Sequence, residues 1–167
     1  MNSWKSVFAL GVCLFVFSGC GSKKPDGIPQ LFPTEITVKN GSTSIANATV
    51  LLVGGPSGSW SVSGYTDASG VAVITTSQGD WQSNGAPEGE YKVYITKRPD
   101  VQQEPLAAEL QNDSEAIEKH AAEYAKLAAA APKIIPEKLT NPAKTPLKLT
   151  VGSNGVAELT VDVSEYQ

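Results

Sequence analysis

Residues 90 to 96 read Glu90-Tyr-Lys-Val-Tyr-Ile-Thr96. Side chains of an extended chain alternate between two faces, so Tyr91, Val93 and Ile95 share one side and Lys92, Tyr94 and Thr96 the other. A β-branched and aromatic face backed by a more polar one describes a half-buried strand. The same grammar recurs outward from this stretch. Upstream, Thr34-Glu-Ile-Thr-Val-Lys39 puts Ile36 and Val38 together, Ala48-Thr-Val-Leu-Leu-Val53 is mostly apolar, Ser59-Trp-Ser-Val-Ser-Gly-Tyr65 alternates Trp60 and Val62, and Val71-Ala-Val-Ile-Thr-Thr76 follows. Downstream, Pro146-Leu-Lys-Leu-Thr-Val151 and Val156-Ala-Glu-Leu-Thr-Val-Asp-Val163 flank Gly-Ser-Asn-Gly, which reads as a hairpin. About seven short strands with turns between them predict a mainly β chain folded as a β-sandwich.

The turns carry their own chemistry. In Thr66-Asp-Ala-Ser-Gly70, Asp67 can accept hydrogen bonds from the amides that follow it while Gly70 takes a positive φ. A calcium ligand is the alternative for a carboxylate in a loop, but no second acidic residue stands at loop spacing. In Pro87-Glu-Gly-Glu-Tyr91 the proline presets a turn, Gly89 relieves it and Tyr91 enters the core. Glu88 and Glu90 read as solvated turn residues, a substrate-binding role for either being the alternative.

One segment breaks the β pattern. Asn112-Asp-Ser-Glu-Ala-Ile-Glu-Lys-His-Ala-Ala-Glu-Tyr-Ala-Lys-Leu-Ala-Ala-Ala-Ala131 is rich in good helix formers. Asn112 with Glu115 three positions on has the form of a capping box. Ile117, Ala121, Tyr124 and Ala128, with Leu127 beside them, form a narrow apolar stripe, and charged residues take the remainder. The spacing predicts an amphipathic helix over 113–130, stopped by Pro132, inside an insertion spanning about 100–145. A connection so long in a sandwich acts as a lid, a docking element or a mobile excursion.

The N-terminal stretch Met1-Asn-Ser-Trp-Lys-Ser-Val-Phe-Ala-Leu-Gly-Val-Cys-Leu-Phe-Val-Phe-Ser-Gly-Cys20 has one cation, then an apolar run, then small residues before Cys20. That order is expected of a signal peptide over 1–19. The run is shorter than the ~20 apolar residues a membrane-crossing helix needs. Phe17-Ser-Gly-Cys20 resembles the bacterial lipoprotein box, which implies lipid attachment at Cys20 and a membrane anchor. An ordinary secreted chain with an incidental cysteine is the plainer alternative. Gly21 after Cys20 points to the outer membrane if enterobacterial sorting applies, the periplasmic face being the other site. Residues 20–33, with three prolines and no period, read as the lipidated N-terminus and a flexible tether, leaving a single domain over 34–167.

Composition narrows the chemistry. Of two cysteines, Cys13 lies in the expected leader and Cys20 is the expected acylation site, so the domain is expected to hold no disulfide or thiolate. The net charge of −4 gives no broad basic field, so no nucleic-acid partner is expected. His120 is the one histidine, and a zinc centre built on about three converging ligands is not expected around it. No Gly-x-Ser-x-Gly elbow and no phosphate-cradling glycine loop occur. The reading is of no enzyme, no metal and no cofactor.

Three separated stretches, Ala46-Asn-Ala-Thr-Val50 with Tyr65-Thr-Asp-Ala-Ser-Gly70, and Gly85-Ala-Pro-Glu-Gly-Glu-Tyr-Lys-Val93, resemble the carboxypeptidase regulatory-like domain of the transthyretin-like β-sandwich type. The block Ile135-Pro-Glu-Lys-Leu-Thr-Asn-Pro-Ala-Lys-Thr-Pro-Leu-Lys-Leu-Thr-Val151 is similar to the ending of small, uncharacterised planctomycete lipoproteins of that group. The resemblance covers about 34–163. It implies a transthyretin (prealbumin)-like, seven-stranded Greek-key sandwich with one helical insertion, and a regulatory rather than catalytic domain. Two departures stand out: the first strand has Glu35-Ile-Thr-Val38 in place of a Gly-x-Val start, and Leu139 stands where an aromatic is common. Hydroxyisourate hydrolases share the fold class but rely on several histidines, which this chain lacks.

Two functional readings follow. The first is a non-catalytic, membrane-anchored binding module of the cell envelope that meets an envelope protein or a glycan, with Trp81 and Tyr124 as candidate surface residues. Trp81 lies in Gly79-Asp-Trp-Gln-Ser-Asn84, outside any alternating strand, and is either a contact residue or a plug over the core edge; Trp60 is expected in the core. The second is a purely structural spacer, and a hydrolase of unrecognised type is a distant third.

Overall fold

The computed structural model describes residues 23–167. The expected signal segment and Cys20 lie outside the described residues. In chain order the strands are β1 (Leu31–Phe32), β2 (Thr34–Asn40), β3 (Thr43–Ser44), β4 (Ala48–Gly54), β5 (Ser61–Tyr65), β6 (Val71–Val73), β7 (Thr75–Gln78), β8 (Trp81–Asn84), β9 (Ala86–Pro87) and β10 (Gly89–Lys97). Then come helix α1 (Ser114–Ala130), β11 (Lys148–Val151) and β12 (Ala157–Asp162). Each stretch expected from alternation is extended, Val71–Thr76 within two strands rather than one, and four short strands, β1, β3, β8 and β9, join them.

One sheet runs β11-β10-β4-β5-β7-β8, antiparallel throughout. The other is built on β2, flanked by β12 in parallel register and by β3 and β6 antiparallel. The alternation that suggested the strands puts Ile36, Val38 and Val161 on the inner face of one sheet and Val50, Leu52, Val62, Tyr91, Val93 and Ile95 on that of the other, all in one buried cluster. The described residues form a mainly β sandwich with a single α-helix among them.

Three local readings change in the folded chain. Val71–Thr76 is not one strand, because at Ile74 the chain passes from one sheet to the other. Val71–Val73 pairs with β2, and Thr75–Gln78 with β5 and β8. Ile74 is fully buried, its N–H donates to Thr34 O at 2.9 Å and its carbonyl accepts from Gly85 N at 2.7 Å. Strands that change sheets this way make the corners of a sandwich.

The expected hairpin at Gly152–Gly155 is also replaced. β11 pairs with β10 and β12 with β2, so the turn bridges the two sheets. Leu149 and Val151 find their partners on β10, and Ala157 N donates to Pro33 O at 2.9 Å. The turn chemistry was legible, but it does not decide which strand each arm pairs with. Third, strand structure begins at Leu31 rather than Thr34, with Leu31–Phe32 paired to Ala86–Pro87 and Ile28 buried.

The turn at 66–70 forms as its residues suggest. Asp67 Oδ1 accepts from Ser69 N at 2.8 Å and Val71 N at 3.0 Å, and Gly70 sits at φ 78°. Gly70 O accepts from Val38 N at 2.8 Å, locking the turn to β2. At the far end of β12, Asp162 Oδ1 accepts from Gly41 N at 2.9 Å and from the Ser164 hydroxyl at 2.6 Å. The Ser164 hydroxyl first, then the Gly41 amide, hold its carboxyl below the usual range.

Candidate functional site

The two candidate surface residues fall on different elements. Trp81 is not in a loop: Gly79 at φ 57° starts a two-residue turn, and Trp81 opens β8, paired with Gln78, at the free edge of the six-stranded sheet. Its side chain is buried, with 8% of its surface exposed. Glycine first in a two-residue turn is a hairpin signal, and Gln78-Gly-Asp-Trp81 carried it. Trp60 precedes β5, is partly buried and packs against the core. Tyr124, on α1, keeps 38% of its surface exposed.

Helix α1 is capped one residue later than the box predicted. Asp113 is the N-cap, its Oδ1 accepting from Glu115 N at 2.9 Å and Ala116 N at 3.2 Å. A carboxylate at this place also meets the positive end of the helix dipole. The helix ends where Ala131, forced extended by Pro132, leaves it. None of its residues is buried, and Ile117, Tyr124 and Leu127 are 45%, 38% and 40% exposed.

What holds α1 is a strap of the preceding chain. Gln103 Nε2 donates to His120 O at 2.9 Å, and His120 Nε2 lies 2.9 Å from Glu104 O. The sole histidine therefore serves as a clasp. The far side of the insertion is anchored more firmly. Ile135 and Leu139 are buried in the core cluster, and the Thr145 hydroxyl donates to Val93 O at 2.7 Å. Leu139 is fully buried.

Between the end of β10 and the C-terminal end of α1 lies a cleft of about 340 Å³. One wall is Thr96–Asp100 and the other is Ala128 with Ala131–Ile135. The Lys97 side chain is only 9% exposed, and its ammonium pairs with the Asp100 carboxylate at 3.1 Å. Sequence reasoning passed over Lys97-Arg-Pro-Asp100. Two cations, a proline and an acid directly after a strand were the available signal, but their facing wall lies some thirty residues on and only folding brings it near. Among the described residues, no three His, Cys, Asp or Glu side chains gather as metal ligands, and no helix is long and apolar enough to cross a membrane.

No family model matches the chain, and no curated protein matches it. Among solved structures it is similar to the major pilin subunit of Bacillus cereus, with a TM-score of 0.41 and 17% identity over 81% of this chain and 30% of the pilin chain. This chain thus spans less than a third of that protein's length, and a likeness at this score carries no argument about fold or activity.

Proposed function

We propose that this chain is a non-catalytic module of the cell envelope, anchored through a lipidated Cys20 at the outer membrane or periplasmic face, whose helical insertion engages another envelope protein. One observation carries the reading: α1 is capped and formed, yet buries none of its residues, and it leaves Ile117, Tyr124 and Leu127 about two-fifths exposed. A structural spacer would gain by packing such a helix onto its sheet. Amphipathic helices laid into an apolar groove are a recurrent mode of protein recognition. The sandwich is assigned, as part of this proposal, to the transthyretin-like type and the carboxypeptidase regulatory-like group, supported by the long strands found where those stretches predict them.

The test uses chemical crosslinking in cells followed by mass spectrometry, on the tagged wild type and on a variant in which residues 103–132 are replaced by a short Gly/Ser linker. The excision stops at Pro132 so that Ile135 and Leu139 keep their buried places. A protein captured by the wild type and lost in the variant supports the reading. Equal capture by both, or none by either, overturns it. The anchor has its own arm: Cys20→Ser abolishes labelling by a fatty-acid analogue and releases the chain from the membrane fraction, and unchanged labelling refutes lipidation at this residue.

A further inference from the structure

A lysine whose side chain is nine-tenths buried calls for partners. The Lys97 ammonium has three N–H donors to place. Among the described residues its one carboxylate partner is Asp100, at 3.1 Å to Oδ2 and 3.4 Å to Oδ1. Lys97 lines the cleft at the end of β10, and Arg98 and Lys133 line it too. Neither of those two has a carboxylate within ion-pair distance among the described residues. The acids of the cleft are already engaged, Asp100 by Lys97 and Glu137 by Lys144 at 4.0 Å. Apart from Thr96 and Thr140, the rest of the lining, including Ala128, Ala131, Ile134 and Ile135, is apolar, and Ile134 is 38% exposed.

Apolar walls with a few convergent polar groups are the usual make-up of small-molecule sites, and ~300 Å³ is the lower end of their size. A ligand that fills the cleft must cover alanine and isoleucine side chains and meet an excess of positive charge. We propose that the cleft binds a small ligand with an apolar body and one anionic head, the head taken by Lys97 with Arg98 and Lys133 around it, and the body by the Ala128–Ile135 wall. A charged hydrogen bond from a largely desolvated ammonium is stronger than one made in open solvent. The charge of the ligand therefore matters more here than its length. This site is independent of the helix-docking reading above, since it uses the inner side of the insertion and a small molecule.

Isothermal titration calorimetry of the full chain carrying Cys20→Ser, so that no attached acyl chain competes, tests the site with two probes of matched body, octanoate and 1-octanol. Octanoate is expected to bind saturably with one site per chain, and 1-octanol at least tenfold more weakly. Lys97→Met keeps the buried stem and removes the ammonium. It should weaken octanoate at least tenfold and leave 1-octanol unchanged. Ala131→Trp, which fills the cleft from the helix end without touching the lysine, should abolish binding of both, and circular dichroism checks that each variant is folded. Absence of octanoate binding, equal affinity for the two probes, or octanoate binding indifferent to Ala131→Trp would each overturn the proposal.

Discussion

Tyr91, on β10 between β4 and β11, is buried in the core cluster, with 3% of its surface exposed and its hydroxyl donating to Pro87 O at 2.8 Å. Burial pushes its pKa up to about 12. The sign of the consequence follows from the unfolded chain, whose tyrosines lose their protons near pH 10. Above that value the unfolded state sheds a proton that the native state keeps, so stability falls as pH rises from ~10 toward the raised native pKa, and nothing is lost below. Tyr91→Phe should cost about 1 kcal/mol at neutral pH for the lost hydrogen bond. It should also flatten the alkaline loss, seen as a smaller drop in urea midpoint between about pH 9 and about pH 11 than the wild type shows. Trp81 makes the companion case. Because it is buried rather than displayed, Trp81→Ala should destabilise by about 3 kcal/mol or more in urea unfolding. A change under ~0.5 kcal/mol would return it to the surface.

At the scale of elements, the capped and unburied α1 makes a prediction that separates local from global stability. Asp113→Ala removes the acceptor of two helix N–H groups and should cost about 1 kcal/mol of helix stability. Because no α1 residue is buried, that cost should appear as lost helical circular dichroism while the cooperative unfolding of the sandwich stays where it was. A shift of the global transition would mean that α1 is coupled to the core. The strands illustrate what a sequence can and cannot tell. Alternation in Thr34–Lys39 and Glu90–Thr96 identified β2 and β10 because one face of each is buried, and a period of two records that fact directly. The same signal was blind at Val71–Thr76. Both halves are β-branched and buried on alternate residues, so a change of sheet at Ile74 leaves no mark in the pattern. Pairing failed at Gly152–Gly155 for a related reason: turn residues specify a reversal, while Pro33 and β10, both remote in sequence, decide what lies beside each arm.

On the scale of the whole molecule, the sandwich and the insertion divide the labour. The core draws on both sheets and on Ile135, Leu139, Thr145 and Leu147 after the helix, but on nothing between Gln103 and Pro132. Replacing 103–132 with a Gly/Ser linker should therefore move the melting temperature by no more than about 4 °C, a change of under ~1 kcal/mol for a domain of this size. Scanning calorimetry reads it, and a drop of ten degrees or more would make the insertion part of the core. The cleft was illegible for the opposite reason to the strands. Lys97 and Ala131 are meaningless to each other in sequence and become neighbours only because β10 ends beside the helix's last turn.

The central claim, an outward-facing helix that docks a protein, is tested most directly by a photo-crosslinking amino acid placed at position 124 and, as control, at position 53 on the sandwich, where Val53 is 46% exposed. Irradiation of living cells should give a protein adduct of one defined mass from position 124 and none from position 53. No adduct from position 124, or the same adducts from both, would contradict it.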